Sequence, residues 1–180
     1  MTGMNRKKLI TNVNTAISET LAHRISDRDF QRQRVYDFHI DMKEDQIIPA
    51  ICHDIVKRLD KLWNIHTTEL YPEKWTENVA EGWPLAKRYA AIQIPYSMMT
   101  VSYVIHEHAH GVVECFLNYD DTDIKDPGHG PLWCGVFTLG MSYIMGTSYD
   151  TVYNSLVSRG IHVIDEDATL AFLKLFSRKT

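Results

Sequence analysis

The chain has 180 residues, 44% of them hydrophobic, and a formal net charge of −4. That size and composition suit one soluble domain with a sizeable core; no run of roughly 18 apolar residues is present to span a bilayer, and the net negative charge argues against wholesale nucleic-acid binding. Cys52, Cys115 and Cys134 form no C-x-x-C pair and read as buried thiols of a reducing compartment, and with no signal-type apolar stretch near Met1 the expected location is the cytoplasm.

Leu9, Ile10, Val13, Ile17 and Leu21 keep a helical period and predict an amphipathic helix over 4–24. Ser26 or Asp27 is placed to cap a second helix running through Phe30, Val35, Tyr36 and His39. Arg6, Lys7, Lys8, Arg24, Arg28, Arg32 and Arg34 make this opening basic, which is expected to be a solvated helix face, with a nucleic-acid contact as the alternative. Ile47, Ile51, Ile55, Leu59 and Leu62 predict a third helix that tolerates Pro49 only near its start. Residues 66–71 and 89–94 read as extended, with Ala91–Ile94 alternating as an exposed edge strand does. Between them, 72–84, with Trp75 and Trp83, reads as a loop or short hairpin.

The next segment carries the chemistry. His106-Glu107-His108-Ala109-His110 fits H-E-x-x-H inside an apolar helix flanked by Val101–Ile105 and Val112–Phe116. Residues four apart on a helix differ by about 40° in rotation and roughly 6 Å in rise, so His106 and His110 lean to one side and can share a Zn²⁺. Val101, Ile105, Ala109, Val112 and Phe116 form the opposite, core-facing stripe. Glu107 projects beside the two imidazoles, where a general base is needed. His108 lies about 200° from His106 and cannot share their metal; it reads as a packed or partly exposed histidine with a hydrogen-bond partner. Glu114, one turn past His110, reads as an exposed carboxylate, or else as a hydrogen-bond acceptor for a ligand imidazole. Asp120, Asp121, Asp123 and Asp126 form an acidic stretch, expected to be exposed. It leads to Gly128-His129-Gly130-Pro131, where His129 is the natural third ligand.

Pro131 suits the first turn of a helix reaching about Gly146. Asp150 is placed to cap a short helix ending at Gly160. Residues 161–164 read as a brief strand and 168–176 as a last helix. The sum is α+β: mainly helical, with a small β-sheet beside the metal-site helix.

The strand at 91–94, the H-E-x-x-H helix and His129-Gly130-Pro131-x-Trp133 together resemble the zincin core of SprT-like metallopeptidases, in which the third zinc ligand opens the next helix. Arg28-Asp29-Phe30-Gln31-Arg32-Gln33-Arg34-Val35-Tyr36 is similar to the opening of small metallohydrolases of actinobacteria and their phages that carry the same core. The resemblance covers roughly 28–146. It divides the chain into an N-terminal helical extension, 1–27, and a SprT-like domain, 28–180, with no cysteine-bearing zinc ribbon. It implies a zincin-like fold, one Zn²⁺ held by His106, His110 and His129, and Glu107 as the catalytic residue.

The expected activity is therefore that of a zinc metallopeptidase, a hydrolase acting on a protein or peptide, in a host cytoplasm if phage-encoded. Membrane partners are not expected, and nucleic acid is a minor alternative. Tyr143, Tyr149, Tyr153 and His162 are the candidates for stabilising an oxyanion. The rival readings are a metallohydrolase of a non-peptide amide, or a binding protein on a zincin scaffold whose metal is structural.

Overall fold

The computed structural model of the chain describes residues 6–22, 28–71, 80–119, 124, 126 and 128–177. Its elements in chain order are α1 (Arg6–Ala22), α2 (Arg28–Met42), α3 (Pro49–Trp63), β1 (Thr67–Leu70), β2 (Glu81–Ala86), β3 (Tyr89–Gln93), α4 (Val101–Tyr119), α5 (Pro131–Met145), α6 (Tyr149–Val157) and α7 (Glu166–Ser177). The architecture is mainly helical with one small sheet, an α+β arrangement. The expected caps Ser26 and Asp27, together with Arg24, Trp75, Asp120, Asp121 and Asp123, lie outside the described residues. Among the described residues no helix is long and apolar enough to cross a membrane.

Proline and left-handed residues punctuate the helices where their backbone chemistry predicts. Pro49 and Pro131 open α3 and α5, where the missing N–H costs nothing. Asn64 and Gly146 close the same two helices with φ of 52° and 66°. Ser148, rather than Asp150, caps α6, its hydroxyl accepting from the Thr151 N–H at 3.1 Å; Asp150 sits in the first turn, beside the positive end of the helix dipole. Residues 161–164 join no sheet among the described residues. Ile161, Val163 and Ile164 are buried there, so apolar packing rather than a strand ladder accounts for their alternation.

The sheet order is β1-β3-β2, with β1 parallel and β2 antiparallel to β3. Ala91–Gln93 therefore belongs to the central strand, with Ile94 just past its end, and not to an exposed edge. Ala90, Ala91, Ile92 and Gln93 are all buried, because α4 covers one face while paired strands flank both sides. Small side chains let the helix come close. A Cβ on Gly111 would meet the Ala90 Cβ at 2.8 Å, and one on Gly82 would lie 1.8 Å from the Glu107 carbonyl oxygen. Gly111 is thus an approach point inside α4 rather than a break in it.

Around α4 the core is continuous: α3 and α5 pack against it, and α6 and α7 pack on α5. Helix α1 packs on α7 and α5, with Leu9, Val13 and Ile17 buried. One half-buried carboxylate ties three layers together. Asp60 of α3 receives the Thr68 N–H at 3.0 Å and the Thr68 hydroxyl at 2.6 Å from β1, and lies 2.8 Å from His108 Nε2 of α4. His108 is accordingly a packed, partnered histidine, as its helical position predicts.

Candidate metal centre

Helix α4 brings His106 and His110 to one side, and the turn before α5 brings His129 to meet them. The three side chains lie close enough to hold a metal ion. His129 Nε2 is 3.0 Å from His106 Nε2 and 3.2 Å from His110 Nε2. Nitrogens bound tetrahedrally at about 2.0–2.1 Å sit roughly 3.3 Å apart, so the donor set fits such an ion with little movement. Burial holds His106 well below the usual histidine range, and the neighbouring His110, His39, His129 and Arg32 push the same way. Burial, with His129 and Arg32, likewise lowers His110 to about 3. Both rings are therefore neutral near pH 7, the state in which an imidazole is a ligand.

His129 has a left-handed backbone, φ 63°. The flanking glycines do not absorb that geometry: Gly130 sits at φ −70°, and His129 itself carries the strain. A buried glutamine holds it there. Gln31 Nε2 of α2 donates to the His129 carbonyl at 2.5 Å and to the His162 carbonyl at 3.3 Å, while Gln31 Oε1 accepts the His162 N–H at 3.1 Å. From the other side, Asp126 accepts the Leu132 and Trp133 N–H groups at 3.1 and 2.9 Å and so caps α5. Burial raises Asp126 to about 7 against the pull of those two donors. This aspartate is a partly buried cap, not the exposed loop charge that its acidic surroundings suggest.

His39 fixes the His106 ring. Its Nε2 is 2.8 Å from His106 Nδ1, and its Nδ1 is 2.8 Å from the Ser102 hydroxyl. With His106 Nε2 turned to a metal, the His106 proton sits on Nδ1 and donates to His39, which then donates its own Nδ1 proton to Ser102. Burial, reinforced by His129, keeps His39 neutral by lowering it to about 3. Trp133 packs beneath the centre, its ring 4.6, 4.9 and 4.6 Å from those of His106, His110 and His129.

Glu107 Oε1 lies 3.8 Å from His106 Nε2, beside the ligand nitrogens but not among them. Burial, then Glu81 and Glu114, raise its carboxyl to about 8, while the Gly82 backbone N–H pulls it down. The residue opens on a cleft of about 370 Å³ walled by Arg32 and Tyr36 of α2, Ala80–Trp83, and Glu114. Glu114 is half-buried in that wall, and burial raises its pKa. Tyr36 stacks on His106, with centroids 5.7 Å apart.

None of Tyr143, Tyr149, Tyr153 and His162 lines this cleft. The Tyr149 hydroxyl donates to the Ile164 carbonyl at 2.7 Å, Tyr153 stacks on Tyr149, and Tyr143 is exposed beneath Arg58. The His162 backbone serves Gln31. Tyr36 and Arg32 occupy the wall instead. Arg32 thereby differs from the purely solvated face expected of the basic opening. The signal that could have found them is the Arg28–Tyr36 opening itself, whose helical period turns Gln31 and Val35 inward on one side of α2. No family model matches this chain; nor does any curated protein or any solved structure.

Proposed function

We propose that the chain is a zinc-dependent peptidase with a SprT-like, zincin-like core, and that His106, His110 and His129 hold the Zn²⁺. One observation carries this reading: three Nε2 atoms converge in an open cleft with a carboxylate 3.8 Å from one of them. Three neutral nitrogen donors suit Zn²⁺ and leave a fourth position open, as hydrolytic sites do. The ion, when bound, supplies Lewis acidity, acidifying a water and polarising a substrate carbonyl. Everything else falls to the protein. Glu107 takes the water proton and returns it to the leaving amine, a shuttle suited to a carboxyl whose surroundings already hold its proton affinity high. His39 keeps the His106 ring in the ligating tautomer, and Gln31 keeps His129 in reach. Tyr36, on the cleft wall against His106, is placed to donate to an oxyanion.

The test is proteolysis of a mixed protein pool, with cut sites identified by mass spectrometry and zinc content measured in parallel. Glu107→Gln should keep its zinc and lose about 10²-fold or more in cleavage, since an amide accepts no proton. His110→Ala should lose both. Cleavage by Glu107→Gln at the parent rate would refute the mechanism.

A further inference from the structure

The α2 wall of the cleft carries a cation where a metal site gains nothing from one. Arg32 lines the cleft with all three histidines. Its guanidinium carbon lies 5.6 Å from the centroid of the Tyr36 ring, which in turn stacks on His106. That cation–π contact keeps the head group over the site. Arg32 shares the cleft with His106 and His110, so its charge opposes any dication held there. Among the described residues no carboxylate pairs with it. The acidic groups of the cleft are on the other side: Glu81 on β2, and Glu107 and Glu114 two turns apart on one face of α4.

Arg32 is exposed on the cleft wall and, among the described residues, pairs with no carboxylate, so its guanidinium is available to an anion entering the cleft. We propose that Arg32 determines specificity by docking a carboxylate of the substrate beside the metal centre, so that the cleft selects peptides bearing a carboxylate next to the cut. Glu81 and Glu114 repel the same group, which fixes the direction in which the peptide lies. The carboxylate comes from an acidic side chain or from a free C-terminus. This inference rests on the metal-centre reading above.

The experiment uses the full chain loaded with Co²⁺ and three probes in calorimetry: N-acetylglycylglycine, N-acetylglutamic acid α-methylamide and N-acetylglycylglycinamide. At least one of the two carboxylates should bind the parent about tenfold tighter than the neutral amide, the scale of a charge-assisted guanidinium pair. Arg32→Gln should abolish that advantage without changing the amide's affinity, and Arg32→Lys should restore part of it. Whichever carboxylate wins identifies a terminal or a side-chain source. Co²⁺ alone, titrated against a chelator, should bind Arg32→Gln as tightly as the parent or several-fold tighter, whereas loss of a merely structural arginine would weaken it. A carboxylate advantage that survives in Arg32→Gln, or none in the parent, overturns this inference while leaving the metal centre standing. A parent chain that takes up no metal overturns both.

Discussion

Glu107 is a carboxyl that the metal-free protein holds mostly protonated at neutral pH, since burial raises it to about 8. An acid whose pKa is higher in the folded state favours folding below its unfolded value and loses that contribution as pH rises through the folded value. The lowered histidines act oppositely, but only below their ordinary 6.5. Between pH 6.5 and 8 the metal-free protein should therefore lose thermal stability, and Glu107→Gln should flatten much of that slope in a Tm series; Asp126, raised to about 7, supplies the remainder. A dication nearby favours the ionised carboxylate, so metal affinity in the parent should climb with pH up to about 8. His39 and Gln31 touch His106 and His129 without joining the histidine cluster. Replacing either by an apolar residue, His39→Phe or Gln31→Leu, should weaken metal binding by about 10–100-fold in a chelator titration. The convergence of the three histidines was legible in the sequence because helical spacing pairs His106 with His110, and Gly128 and Gly130 single out His129 as the third. The partners were not, because Gln31 and His129 are 98 residues apart and nothing local in Arg28–Tyr36 says which loop the amide reaches.

Elements were legible where backbone chemistry is local. Pro49, Pro131 and Gly146 mark real helix ends, and the apolar period of 101–116 marks α4. The alternation of residues 91–94 predicts a half-buried edge strand, whereas the chain places this segment at the centre of the sheet. Ala90 on the central strand admits α4 closely, and Ala90–Gln93 are buried on both faces of the strand rather than on one. The same closeness yields a test. In Gly82→Ala the new methyl would sit 1.8 Å from the Glu107 carbonyl oxygen, a backbone atom of a packed helix that cannot swing aside. Strand β2 must then lift from α4, at a cost of about 1–3 kcal/mol typical of overpacking. Urea denaturation should show that loss. Metal affinity should change little, since the ligands come from α4 and the α5 turn, whereas cleavage should fall because β2 and Glu107 share the cleft.

At the scale of the molecule, the extension suggested by where the family resemblance stops shares the core. Leu9 and Val13 are fully buried against the α5 and α7 layer. Leu9→Ala should cost about 2–5 kcal/mol by leaving a cavity, and removal of residues 1–22 should give an insoluble chain or one with a markedly lower unfolding midpoint. A truncated protein as stable as the parent would show α1 to be dispensable. The regular stripe from Leu9 to Ile17 announced that a partner existed. That the partner is α7, at the far end of the chain, was beyond the reach of periodicity, which specifies a face but not what covers it.

Trp133 sits where its light emission becomes useful. Three imidazole rings surround its buried indole at 4.6–4.9 Å, and among the described residues its Nε1 has no hydrogen-bond partner. Any ion drawn in by those rings lands within a few ångströms of a buried fluorophore, close enough for an open-shell ion such as Cu²⁺ or Co²⁺ to quench it and for a closed-shell one to leave it bright. The protein thus carries its own gauge of occupancy. Filling and emptying of the centre can be timed on the unlabelled chain, before any substrate is known.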